Sequence, residues 1–213
     1  MALILWDYDG VLVNTIEIEN KYFTAACREV GIEQIHTCED LIKLSQGNFY
    51  EECIKVGIDI EKVEAAIDIF EKRIKELNCQ IPIFKGVPEI MVDTARWFPS
   101  YIITSNTATL VAEKLKKEHI LGIREILGYE FEKSKVKKIE YVKALYPGEK
   151  IYFIGDTSGD ILEAKASGVD VTIGVSWGWH TVEVLSQANP DYIFNEVSQL
   201  RDFLYSLFER PNE

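Results

Sequence analysis

Two carboxylates close the first apolar run of the chain, where residues 2–6 lead into Asp7-Tyr8-Asp9-Gly10. In an extended segment, residues two apart point to the same side, so Asp7 and Asp9 share a face. Holding both there costs desolvation and mutual repulsion unless a cation or a proton offsets it. The pair suggests a metal-assisted site with one carboxylate free to attack or to shuttle a proton. An ordinary turn is the competing reading, because Asp and Gly favour turns after strands.

Two later apolar runs end in related chemistry. Residues 101–104 lead into Ser105-Asn106, and residues 151–154 into Gly155-Asp156-Thr157-Ser158-Gly159-Asp160. Each ending could be a turn when taken alone. In a parallel sheet, however, the carboxyl ends of the strands lie along one edge, and ligands bind there.

The remaining patterning predicts such a sheet. Ile18, Tyr22, Ala26 and Val30 recur at helical spacing and Gly31 stops the run. Short helices follow around 40–44 and 48–56. Val63, Ile67, Phe70, Ile74 and Leu77 then mark a longer one, with Asp59 as its N-cap. No strand is legible between about residues 16 and 79. Beyond Pro82 the chain alternates: helix 88–98, strand 101–104, helix 110–117, and a helix carrying Val136, Ile139, Val142 and Leu145. Strand 151–154, helix 161–167 and strand 171–175 follow. A helix from about 182, a strand at 192–194 and a helix from about 198 complete the chain. This order predicts an α/β fold with a parallel sheet covered on both faces, interrupted by an all-helical insertion. The expected division is a core of residues 1–14 and 82–213 and an inserted subdomain of residues 15–81. Segments 13–15 and 80–86 act as the two tethers.

Composition narrows the function. At 213 residues, 47% hydrophobic and 27% charged, the chain has a soluble globular balance. No apolar stretch approaches the ~20 residues that span a bilayer, and no basic-then-apolar leader is visible, so a cytoplasmic location without membrane contact is expected. A net charge of −12 argues against a nucleic-acid partner. It also repels anionic substrates, so any phosphate site needs a local cation. Cys27, Cys38, Cys53 and Cys79 lack C-x-x-C spacing and read as free thiols. His36, His119 and His180 are scattered and form no metal set.

The motifs together resemble the haloacid dehalogenase superfamily, in its phosphatase branch with a helical cap. Asp7-x-Asp9-Gly10-Val11-Leu12 is similar to the first family motif, Ser105-Asn106 to the second and Gly155-Asp156-x-x-x-Asp160 to the fourth. Lys85-Gly86-Val87, the run Gly174 to Gly178 and Asn189-Pro190-Asp191-Tyr192-Ile193 add weaker likenesses. The resemblance covers the whole chain and implies a Rossmann-like core with the insertion as cap. It implies Asp7 as nucleophile, forming an aspartyl-phosphate, and Asp9 as general acid and base. Asp9 would need a raised pKa for that task. Mg²⁺ would be held by the side chains of Asp7 and Asp156 and the backbone carbonyl of Asp9, with Asp160 ordering the metal's water or capping its helix. Ser105 and the amides of Asn106 and Thr107 would bind phosphate.

The resemblance also implies a phosphate-binding lysine before the fourth motif, with Lys133, Lys135, Lys137 and Lys138 as candidates. Lys135 is preferred because Ser134 could cap a helix whose buried face carries Val136, Ile139 and Val142. Asp9 distinguishes the chain from dehalogenases and phosphonate-cleaving relatives and points to phosphate esters or anhydrides. Val11 and Asn14 depart from the commoner family residues without touching the catalytic set. Lys43, Gln46, Gly47, Asn48 and Arg28 could face the substrate or simply be solvated. Trp177 is expected in packing, with Trp179 and His180 left open. The expected substrate is a small phosphoester. A phosphotransferase of the β-phosphoglucomutase type and a non-catalytic binding protein are the alternatives. Oligomeric state is not legible.

Overall fold

Alternate residues of the first strand build opposite faces of the sheet. Leu3 and Leu5 pack with Tyr101, Ile103, Ile139, Val142 and Phe153, whereas Ile4 and Trp6 join Val87, Ile90, Met91, Leu200 and Leu204. A strand buried on both faces has no use for polar alternation, so residues 2–6 read as a continuous apolar run. The computed structural model describes residues 2–77 and 80–209; Cys79 and the side chain of Leu77 lie outside that description.

Six strands form one sheet: β1 (Ala2–Trp6), β2 (Ser100–Ile103), β3 (Ile123–Leu127), β4 (Lys150–Gly155), β5 (Val171–Val175) and β6 (Tyr192–Phe194). Their spatial order is β3-β2-β1-β4-β5-β6, and every neighbouring pair is parallel. Helices α8 (Lys135–Leu145) and α9 (Ser158–Ala166) supply the cluster on the Leu3 face, and α6 (Val87–Trp97) and α11 (Val197–Glu209) supply the Ile4 face. Helices α7 (Ala108–Lys117) and α10 (Val182–Gln187) complete the covering. β3 has no counterpart among the expected strands. It is an edge strand whose Arg124 and Glu125 are exposed, so its sequence lacks an apolar run.

Between β1 and α6 the described residues form only helices. α1 (Ile16–Ile18), a π-helical turn at Glu19–Phe23 and α2 (Thr24–Glu29) run on as one rod, followed by α3 (Cys38–Leu44), α4 (Phe49–Lys55) and α5 (Ile60–Leu77). The caps are local: the Asn48 side chain accepts from Glu51 N at 3.2 Å, and Asp59 Oδ1 from Glu61 N at 3.0 Å. Phe23 meets Phe49 and Phe70 edge-on, with ring centroids 6.2 and 5.5 Å apart. Such pairs contribute roughly 0.5–1.5 kcal/mol beyond their buried area. The two tethers lie side by side: Val13 bridges Ile83 in antiparallel sense, Asn14 N donates to Pro82 O at 2.8 Å, and Phe84 N to Leu12 O at 3.0 Å.

Candidate active site

Strand order reverses between β1 and β4, since β2 and β3 lie to one side and β5 and β6 to the other. The crevice beyond the carboxyl ends of such a pair is where open α/β sheets bind ligands. Trp6 pairs with Ile154, and Asp7 N donates to Ile154 O at 2.8 Å. Asp7 is therefore level with Gly155, and Asp156 leaves the adjacent strand one residue further on.

Asp7, Asp156 and Asp160 are all buried, and one oxygen from each lies within 4.8 Å of the others. Lys135 Nζ reaches Asp7 Oδ1 at 2.9 Å and also pairs with Asp160 Oδ1. Three buried carboxylates against one ammonium leave uncompensated negative charge, and an all-oxygen donor set suits a hard divalent cation. The arrangement is held from several sides. Trp179 N donates to Asp156 Oδ2 at 2.6 Å. Asp160 Oδ2 accepts from Thr157 N at 3.2 Å and Thr157 Oγ1 at 2.8 Å, while Thr157 Oγ1 accepts from Asp160 N, a capping box at the start of α9. Gly10, at φ +69°, leaves space for Asp156: a Cβ there would stand 1.8 Å from Asp156 Oδ2.

Ionisation follows from burial and neighbours. Burial, then the Asp160 charge, pushes Asp7 well above the usual carboxylate range despite Lys135. Burial, then Asp160 and Asp7, does the same to Asp156. Burial opposes the charges of Lys135 and Asp160, yet their mutual pairing wins, raising the lysine and lowering the aspartate. Asp9 rises to about 6, chiefly by burial. Its carboxylate is not among the three clustered ones; Oδ2 accepts from Asn106 Nδ2 instead.

A cavity of about 150 Å³ opens between this cluster and the helical block. Ser105 and Asn106 line it beside Asp7, Asp9 and Lys135. The backbone of Asn106 departs from expectation, because its N–H donates to Thr104 Oγ1 at 3.1 Å. The Glu130 carboxylate takes the first amide of α7, accepting from Ala108 N at 2.7 Å. Ser134 stands at the N-cap of α8, yet its hydroxyl makes no cap bond; Glu163 Oε1 accepts from Lys135 N at 3.0 Å. Of the other lysines, Lys133 pairs with Glu64, Lys137 with Glu132 at 3.3 Å, and Lys138 is fully buried with Nζ 2.6 Å from Thr104 O.

From the helical block, Gly47 and Asn48 line the cavity, whereas Lys43, Gln46 and Arg28 do not. Asn48 Nδ2 donates to Glu163 Oε1 at 2.8 Å, and Gly159 N to Ser45 O at 3.1 Å, so the α3–α4 connection rests on α9. Trp177 packs as expected and donates from Nε1 to Val11 O at 3.2 Å. His180 is buried: Nδ1 accepts from Ser158 N at 2.8 Å, and Nε2 lies 3.0 Å from Ile42 O. Sequence reasoning missed Glu163, Glu19, Glu71 and Tyr50. Glu163 was findable, since it follows Asp160 by three residues on one helix face. The others sit in amphipathic helices, where nothing separates a cavity-facing residue from a core one.

Residues 4–174 match the family described as haloacid dehalogenase-like hydrolase. Phosphoglycolate phosphatase of Haemophilus influenzae (strain 86-028NP) is 22% identical, over 95% of this chain and 97% of that protein. Pyrophosphatase PpaX of Listeria welshimeri is 25% identical over 94% of each. A predicted phosphatase from Clostridium acetobutylicum, solved as a crystal structure, superposes with a TM-score of 0.80 at 21% identity, covering 96% of this chain and 98% of that one. With its reversed-order parallel sheet and its clustered aspartates, the chain belongs to the haloacid dehalogenase-like hydrolases.

Proposed function

We propose that the chain is a Mg²⁺-dependent phosphatase that hydrolyses a small phosphorylated metabolite through an aspartyl-phosphate on Asp7. The observation that carries this reading is the convergence of Asp7, Asp156 and Asp160 on one point, with Lys135 Nζ 2.9 Å from Asp7. The names of the relatives support the reaction class. Residues 15–81 act as a cap over a core of residues 1–14 and 82–213.

The Asp7 carboxylate attacks phosphorus as the bond to the leaving oxygen breaks, and Asp9 gives that oxygen its proton. Water then attacks phosphorus, Asp9 takes back a proton, and the bond to Asp7 breaks to release phosphate. A pKa near 6 lets Asp9 hold a useful proton fraction near neutrality, and Asn106 fixes its carboxylate. Ser105 and Lys135 bind phosphate oxygens, and the Lys135 charge works against the burial that favours the protonated form of Asp7. The side chains of Asp7 and Asp156 and the carbonyl of Asp9 would hold Mg²⁺, with Asp160 in support. When bound, the ion supplies positive charge to the phosphoryl oxygens. Phosphate release from a panel of phosphomonoesters tests the reading: release is expected with Mg²⁺, absent in EDTA and restored by added Mg²⁺. Full activity in chelator would remove the ion from the mechanism.

A further inference from the structure

The cap side of the cavity has a composition that the chemistry at Asp7 leaves unexplained. Phe23, Phe49 and Phe70 line it as an edge-on aromatic cluster, together with Tyr50, Glu19 and Glu71. Lys135 is the single basic side chain among the described lining residues, and it is committed to Asp7 and Asp160. Tyr50 is 7% exposed, yet its hydroxyl has no partner, and Glu71 Oε1 is likewise buried without one. A hydroxyl able to donate or accept and a carboxylate oxygen, both unpartnered, belong to residues that line the cavity beside an aromatic wall.

Both carboxyls resist ionisation where they stand, so a cation beside them would favour their charged forms. Burial raises Glu19 well above the ordinary range, and the Asp9 charge raises it further. Burial, then Asp68 and Glu130, raises Glu71 against a hydrogen bond from Thr107. Lys133 Nζ lies 5.5 Å from the Tyr50 ring centroid, but it does not line the cavity and is paired with Glu64. Glu19 sits in the π-helical turn, a wider turn that occurs often at functional sites, and Glu19 and Phe23 at its two ends both line the cavity.

A leaving group with its own carboxylate or second phosphate would find no free cation there and would make ionisation of Glu19 and Glu71 costlier still. A polyol would face mostly aromatic carbon. A compact organic cation satisfies every feature: its charge pairs with Glu19 and Glu71, its N–H groups or methyls meet the ring faces, and the orphaned oxygens gain partners. We infer that the leaving alcohol carries an ammonium group, so that the preferred substrates are phosphomonoesters of small amino alcohols. This rests on the phosphatase reading and narrows it, away from the anionic substrate that the phosphoglycolate phosphatase relatives are named for.

Isosteric esters test it. With Mg²⁺ present, kcat/KM is measured for 2-aminoethyl phosphate, n-propyl phosphate, phosphoglycolate and p-nitrophenyl phosphate. The expected result is about tenfold preference for the aminoethyl over the propyl ester and about a hundredfold over phosphoglycolate. Glu19→Gln and Glu71→Gln, checked for folding by circular dichroism, each bring the aminoethyl-to-propyl ratio toward one, mainly through KM. A ratio at or below one in the wild-type protein, or an unchanged ratio in the folded variants, overturns the inference and leaves the phosphatase standing. No release from any of the four esters overturns the phosphatase reading and the inference with it.

Discussion

Lys135 and Lys138 sit one helical turn apart on α8, yet their surroundings drive them in opposite directions. Lys135 gains two carboxylates. Lys138 is buried near the Lys135 charge, and burial, then that charge, lowers it to about 7 while it donates to Thr104 O. In the unfolded chain a lysine keeps its proton to about pH 10.4. Between pH 7 and 9 the unfolded state therefore binds more protons at this residue, and stability climbs with pH by up to about 1.4 kcal/mol per unit. Denaturation midpoints measured across that range should rise in the wild type relative to Lys138→Met, the difference isolating this lysine from the raised carboxyls. Asp7→Asn keeps the side-chain shape but removes the attacking charge. It should cost more than about a thousandfold in kcat while leaving circular dichroism unchanged. Asp7, Asp9 and Asp156 were legible because each stands just after a strand end, whereas Asp160 lies in the first turn of α9 and was legible through its spacing from Asp156. Lys135 was legible only through the family resemblance and a helix start at Ser134, and it shares the buried face of α8 with Ile139 and Val142. Tyr50 and Glu71 were not, because helical periodicity records that a side chain is turned inward and not what it meets there.

Backbone makes part of the contact between α9 and the α3–α4 connection, beside the Asn48–Glu163 side-chain bond. A Cβ on Gly159 would stand 2.4 Å from Gly47 O and 2.7 Å from Ser45 O, so only glycine permits this approach. Gly159→Ala should push the connection away and raise KM about tenfold or more. Its loss of stability should be about 1–3 kcal/mol, measurable by chemical denaturation alongside steady-state kinetics. Most elements followed from periodicity and stop signals, as with the Asp59 cap. β3 was hidden because an edge strand need not be apolar. The π-helical turn was hidden because one extra residue in a turn barely disturbs a pattern of Ile18, Tyr22 and Ala26.

At the scale of the whole molecule, the site gathers carboxyls whose ionisation is unfavourable and which the proposed ion would relieve. Asp156 has its folded pKa raised, so its ionised form costs stability as pH rises through that value. Two shifts of opposite sign are expected in thermal melts at neutral pH. Mg²⁺ should stabilise the wild type, by about 2.7 kcal/mol at a hundred times its Kd. Asp156→Asn should melt higher than the wild type without metal and lose the response to Mg²⁺. An Asp156→Asn protein that still answers to Mg²⁺ would falsify the assignment of that ligand. The fold class was readable from the order of apolar runs, since a helical stretch between the first strand and the rest admits few arrangements other than an insertion.

That excursion departs and returns almost at one point, because Val13 and Ile83 are bridged neighbours. A tight hairpin could join the two ends, and the strand order β3-β2-β1-β4-β5-β6 would need no rewiring. On the proposed reading the helical block is a detachable module: exchanging it should alter which molecules are admitted and leave the aspartate cluster at the sheet edge intact.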